Sequence, residues 1–324
     1  MTSKKILNTR IVLSFFSIFL LIILLIFPII SLSGAKNGLL LWFNIIMPTL
    51  LPFIIVSNLM IQLNLTSKIT TIFHPFFKVL FGTTREGSYP IVVGMISGLP
   101  VGAKACNDLV TSNRITKAEG QFLLTFCNNI SPMFLLSYVA ISTLHIPNMK
   151  YSLLIILYLS SLFTALLYKI INRFTHPERI QFYNTKQCNI TCHKSTVSFR
   201  TFDEAIMSGF EVLAKVGGYI ILFSILSEVI LSVIDTNSIS QIVAVSLCEL
   251  TNGVNILGAS TLPLSTKIAL IVSISTFGGF SSIAQTKSVI DESGLSIRIY
   301  TRYKMIQSII AYGLIQLLLM TSGY

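Results

Sequence analysis

Charge is scarce in this sequence. Asp, Glu, Lys and Arg make up 11% of its 324 residues and hydrophobic residues 53%, with a mean hydropathy of +0.78. Soluble globular domains carry about 25% charged residues, so that class is excluded. The chain also lacks motifs that carry much enzyme chemistry: it has no Walker-type phosphate loop, no H-E-x-x-H and no G-x-S-x-G. Its four histidines, His74, His145, His176 and His193, are dispersed, so neither an enzyme nor a cofactor is indicated.

Runs free of charge are abundant. They cover residues 11–35, 37–67, 121–149, 151–168, 250–266, 268–286 and 305–324. Each is near or above the roughly 17 to 25 residues that cross a hydrocarbon core. The chain therefore reads as an all-α polytopic membrane protein of about 8 transmembrane segments. Its first apolar run is too long for a signal peptide and ends on a poor cleavage site, so it reads as a retained span. The net charge of +11 is spread between the apolar runs, which argues against a nucleic-acid partner and for topology. Under the positive-inside rule, Lys4, Lys5 and Arg10, and the loop carrying Lys169, Arg173, Arg179, Lys186, Lys194 and Arg200, are cytoplasmic.

Five cysteines do not form a framework. Cys106, Cys127 and Cys248 fall in or beside apolar runs and read as packing groups. Cys188, Cys192 and His193 sit in the basic loop, where a tetrahedral zinc site would need four ligands and no second pair is near, so no metal site is expected.

Apolar spans fall at about 11–33, 38–63, 89–110, 119–145, 150–172, 205–234, 239–258, 268–290 and 300–321. Residues 71–82 mix His74, Pro75 and Lys78 with phenylalanines and read as an interfacial or re-entrant segment. The organisation is an N-terminal span over 1–36, a first membrane repeat with a connecting span over 37–172, a basic loop over 173–204 and a second repeat over 205–324. Two segments are broken by small residues: Ser97, Gly98, Pro100, Gly102 and Lys104 in the first half, and Gly278, Gly279, Ser281 and Ser282 in the second. A shift of 180 residues pairs Gly98 with Gly278. Broken helix in a bilayer is tolerated where it is buried in protein or lines a polar cavity, and repeated units commonly hold a substrate at their interface. The bland alternative is a kinked helix packed on glycine.

Ionisable groups inside membrane runs are costly and point to function. Lys104 precedes Asp108 by one helical turn, so the two share a face and could pair with each other instead of with a solute. Glu249 stands by Asn252-Gly253, where a turn makes either a re-entrant tip or an ordinary loop. Asn128, Asn129, Ser131 and Pro132 break another run, as a binding element or as glue between helices.

The run from Phe277 to Ile283, with its G-x-x-F-S-S-I pattern, resembles the second-repeat signature of concentrative nucleoside transporters and their nucleoside-recognition, or gate-domain, relatives. Within that group the stretches 97–104, 115–120, 128–132 and 249–253 look most like YlbJ-type sporulation integral membrane proteins. The resemblance implies two re-entrant hairpins and two unwound helices around a midplane site, with Ser282 and the Gly279 backbone facing solute and Glu249 as the hairpin acid. It further implies an endospore former, the mother-cell-derived outer forespore membrane as the location, and passage of dipicolinate. The partners implied are the lipid bilayer, a small anionic solute and a homo-oligomer. Gly279 stands where nucleoside transporters carry Asn, and the first repeat lacks their Gln-Thr-Glu tip, which together with Lys104 favours an anion over a nucleoside. A nucleoside or nucleobase carrier, and a scaffold acting through the basic loop, are the alternatives. One conflict stands: an inverted repeat puts Arg298, Arg302 and Lys304 outside, against the charge rule.

Overall fold

Glycine and proline punctuate this chain, and its helices begin and end on them. The computed structural model describes residues 2–63, 65–175, 199–234 and 239–322, and among these every regular element is helical. Residues Cys188, Cys192 and His193 lie outside the described residues. Helix α1 (Thr2–Ile26) ends at Phe27, and Pro28 opens α2 (Pro28–Leu41), where a missing N–H is harmless. A π-helical turn, Trp42–Ile46, joins α2 to α3 (Met47–Gln62) in one rod. The rod passes straight through residues 34–38, where the sequence pattern placed a loop. Gly34 and Gly38 are there for contact with α9 (Phe199–Val233): a Cβ on Gly34 would lie 2.7 Å from the Ile225 Cα, and one on Gly38 2.9 Å from the Ile221 Cα. Trp42 Nε1 donates to the Leu213 carbonyl across the same seam at 2.9 Å.

Helix α4 (Leu65–Phe81) covers the 71–82 segment and is amphipathic. Its Phe77 and Phe81 turn inward, the latter ring 4.8 Å from Phe126, while Lys68, Thr71 and Lys78 stay exposed.

Next comes a hairpin. Helices α5 (Ser88–Ser97) and α6 (Val101–Thr111) pack side by side with Gly94 against Gly102, so the chain reverses at Gly98 to Pro100. Helix α7 (Lys117–Cys127) starts on an N-cap in which the Thr116 hydroxyl accepts from Glu119 N at 3.1 Å. It unwinds over Asn128 to Ser131 and resumes as a π-helix, Phe134–Thr143. Helix α8 (Lys150–Thr175) then recrosses.

After α9 the same sequence of shapes returns. Helices α10 (Ile239–Cys248) and α11 (Leu250–Ala259) form a second hairpin, with Gly253 packed on Ser246. Its tip is Glu249, so Asn252 and Gly253 belong to the first turn of α11 and are not themselves the turn. Helix α12 (Leu264–Phe277) stops on Gly278, left-handed at φ 88°, and continues as α13 (Gly279–Val289); α14 (Ile297–Ser322) ends the described chain. The break at Gly98 is thus a reversal, like that at Glu249, whereas the break at Gly278 interrupts a continuing helix, like that at Asn128 to Ser131. Similar composition at 98 and 278 conceals this difference in shape.

The end of α13 returns to the face where α7 begins. Ser296 N donates to Gln121 Oε1 at 2.6 Å, and Ser293 N to Asn107 Oδ1 at 3.1 Å. Arg298 and Arg302 therefore start α14 on the face of Arg114 and Lys117, which corrects the expected opposite placement and removes its conflict with the charge rule. The Tyr168 and Tyr303 rings, 4.9 Å apart, bring the end of α8 to this face too.

Five helical stretches are long and apolar enough to cross a membrane: Pro28–Met60, Pro147–Arg173, Phe199–Val233, Leu264–Val289 and Ile297–Thr321. Bulky side chains such as Ile29, Ile309 and Met320 stand exposed on them, which is ordinary against lipid and a liability in water. The chain is an integral membrane protein.

Candidate functional site

Four interruptions of helix meet at one place. The first hairpin tip packs Gly98 on Ser131 of the α7 break, its Leu99 reaches Gly278, and Gly279 packs on the backbone of Leu247 to Leu250 at the second tip. Close approach is possible because each contact point is a glycine. Gly98 (φ 78°, ψ −160°) has a backbone conformation open only to that residue.

These tips line a half-open, largely apolar cavity of about 60 Å³, bounded by Leu99, Ile130, Ser131, Phe134, Glu249, Leu250, Thr251, Gly278, Ser281, Ser282 and Gln285, with Ile46, Leu50, Val216 and Ile220 from the α3 and α9 side. That is room for about four waters. Glu249 is the ionisable group at its wall. The side chain is buried and caps α11, accepting from Asn252 N at 2.8 Å and from the Thr251 hydroxyl at 3.3 Å. Helix α13 has no such cap: Gly278 offers no side chain, so the first N–H groups of α13 are left for whatever fills the cavity.

A wider polar cleft of about 310 Å³ shares Val216 and Gln285 with the cavity and is lined by Pro100, Lys104, Asp108, Glu211, Lys215, Tyr219 and Glu292. Lys104 lies in this cleft and not in the inner cavity. It does not form the expected ion pair with Asp108; α6 presents both to the cleft, and the bridge there joins Lys215 to Glu211 at 2.8 Å.

The other predicted residues stand behind the cavity wall. Gly102 packs on the carbonyl of Cys127, Asn252 Nδ2 donates to the Ser224 hydroxyl at 2.8 Å, and Ser97 shares a hydrogen bond with Ser57. Asn128 is the tie between units: its Oδ1 accepts from Ala103 N at 3.2 Å, and its Nδ2 donates to Thr286 Oγ1 at 3.0 Å and to the Tyr300 hydroxyl at 3.1 Å. Asn129 bonds α8 and α14. Among the described residues no cluster of three His, Cys, Asp or Glu side chains could hold a metal ion.

Comparison with known proteins fits this architecture. The chain is 25% identical over 339 residues to the sporulation integral membrane protein YlbJ of Bacillus subtilis (strain 168), an alignment that spans 96% of this chain and 83% of that relative. The chain is thus similar along nearly its whole length to a sporulation integral membrane protein. No protein-family model and no solved structure matches it.

Sequence reasoning missed Gln285, Thr286, Tyr300, Lys304 and Gln307. Lys304 looked like the tail of the basic group Arg298, Arg302, but it is among the largest fully buried side chains. The signal was the spacing of Tyr300, Lys304, Gln307 and Ala311 at helical intervals, which puts all four on one face of α14.

Proposed function

We propose that the chain is a membrane carrier for a small organic solute, with the cavity between the two hairpin tips as its binding site. The observation that supports this best is that two hairpin tips and two broken helices converge on one cavity whose wall carries Glu249, Thr251, Ser281 and Ser282. Irregular backbone at membrane depth is expected where protein buries it or where it lines such a space. By order of elements, α5 to α8 and α10 to α14 form two inverted units: hairpin, broken helix, long helix. α1, and α2 with α3, precede the first, and α9 precedes the second. The count is then seven crossings and two re-entrant hairpins. Parting one tip at a time gives access from alternate faces.

A small organic anion of the dipicolinate kind is the solute class this reading favours. Uncapped N–H groups of α13, the hydroxyl of Ser281, and Lys104 in the outer cleft all attract carboxylates. The similarity to a sporulation integral membrane protein agrees with a spore solute. In proteoliposomes the chain should take up dipicolinate, and Lys104→Ala should slow it; unchanged flux in that variant counts against the anion. One observation favours a neutral solute such as a nucleoside: Glu249 at the cavity wall can accept from hydroxyls. Competition of dipicolinate uptake by uridine separates the two.

A further inference from the structure

Lys304 lies about 10 Å inside the Ile297 end of α14 and is 1% exposed. Its Nζ donates to Asn129 Oδ1 at 3.0 Å and to Gln307 Oε1 at 2.9 Å. Gln307 Nε2 donates in turn to Asn129 Oδ1 at 2.9 Å and Ser161 Oγ at 2.8 Å, and Asn129 Nδ2 donates to Ser161 Oγ at 2.8 Å. The groups facing this cluster are hydroxyls and amides. α8 supplies Ser160 and Ser161, α14 supplies Tyr300 and Gln307, and α7 supplies Cys127, with Cys106 of α6 behind it at 3.5 Å. No ion pair among the described residues includes Lys304.

Two features separate it from a lysine kept for structure. An ammonium has three N–H donors and this site offers two acceptors, which is the number an uncharged amine needs. A packing role at this depth would be met at less cost by an apolar side chain of similar size. The second feature is position. Asn129, which holds Nζ, lies two residues before Ser131 on the cavity wall and beside Asn128, which ties α6, α13 and α14 together. A change of hydrogen bonding at Lys304 therefore reaches the site through a non-helical break instead of a continuous helix.

We propose that Lys304 is a proton-binding site through which solute movement is coupled to a proton. This rests on the carrier reading above. The proton adds to the Nζ lone pair and no other bond is made or broken; the new N–H requires a third acceptor. Asn129, Gln307 and Ser161 must rotate to supply one, and Asn129 transmits that rotation to Ser131 and hence to Gly98. Lys304 is a positioning residue for the cavity and does not touch the solute.

The test uses the full-length chain in lipid nanodiscs, isotope-labelled at lysine Nζ and followed by NMR against pH. One lysine signal should titrate with a midpoint apart from all others, and it should be missing from Lys304→Met while the rest of the spectrum is kept. In proteoliposomes of phosphatidylethanolamine and phosphatidylglycerol, an imposed pH gradient should raise dipicolinate uptake several-fold. Lys304→Met should equilibrate dipicolinate without responding to the gradient, a difference that a merely structural role would not produce. A Lys304 signal that titrates with the other lysines, or a Lys304→Met variant that keeps the gradient response, overturns the proposal. If the parent chain moves no dipicolinate, the anion reading falls and the NMR titration alone decides the fate of Lys304.

Discussion

Gly98 and Ser131 are in backbone contact: a Cβ on Gly98 would lie 2.6 Å from the Ser131 nitrogen and 2.7 Å from its Cα. The atoms in the way are main chain and cannot swing aside. Gly98→Ala must also hold a glycine-only conformation, and should cost about 2 to 4 kcal/mol, combining backbone strain with overpacking. Thermal unfolding of the purified protein in detergent measures it; a variant as stable as the parent would mean that the two breaks do not touch.

Asn128 gives a prediction about joining the halves. Asn128→Ala removes the partners of Ala103 N, Thr286 Oγ1 and the Tyr300 hydroxyl in one step. Leaving buried groups unpaired costs about 1 to 3 kcal/mol each before relaxation, so a loss of about 2 to 4 kcal/mol is expected. Limited proteolysis should then cut near residues 290–296 faster than in the parent.

The seam between the α2–α3 rod and α9 can be followed by its own probe, because Trp42 is the single tryptophan. A Cβ on Gly217 would lie 2.7 Å from the indole. Gly217→Ala should displace the ring, break its bond to Leu213 O and cost about 1 to 3 kcal/mol. The fluorescence maximum should move to longer wavelength, and an unchanged spectrum would contradict this packing.

Topology is open to direct labelling. With Cys188 and Cys192 replaced by Ser, single cysteines at Ser112 and Ser293 should react with a membrane-impermeant maleimide from one side, and those at His145 and Thr261 from the other. Labelling of Ser293 and Thr261 from the same side would mean that α12 and α13 do not cross together.

Much of this arrangement is written locally. Pro100 between two glycines, Asn128 to Pro132, and Gly278-Gly279 each interrupt an apolar run, and each marks a real break. Local signals could not tell a reversal from an interruption, because Gly98 and Gly278 look alike until Gly94 is seen against Gly102. They also misplaced the first boundary, since Gly34 and Gly38 act on α9, which is distant in sequence. Glu249 was legible as an acid inside a membrane run, but its role as a cap on α11 locates the turn three residues before Asn252. Lys304 was illegible for a different reason: its meaning depends on Asn129 and Ser161, more than a hundred residues away in sequence.

The two glycines 278 and 279 touch different hairpins, Gly278 meeting Leu99 and Gly279 meeting Leu247 to Leu250. Their Cα atoms are about 3.8 Å apart. Whatever moves the first tip against the second acts over a lever one peptide long, with no intervening side chain to absorb the displacement. A single residue inserted between them would rotate α13 by about 100° relative to α12. That would set the two tips out of phase while leaving every side chain of the cavity in the chain.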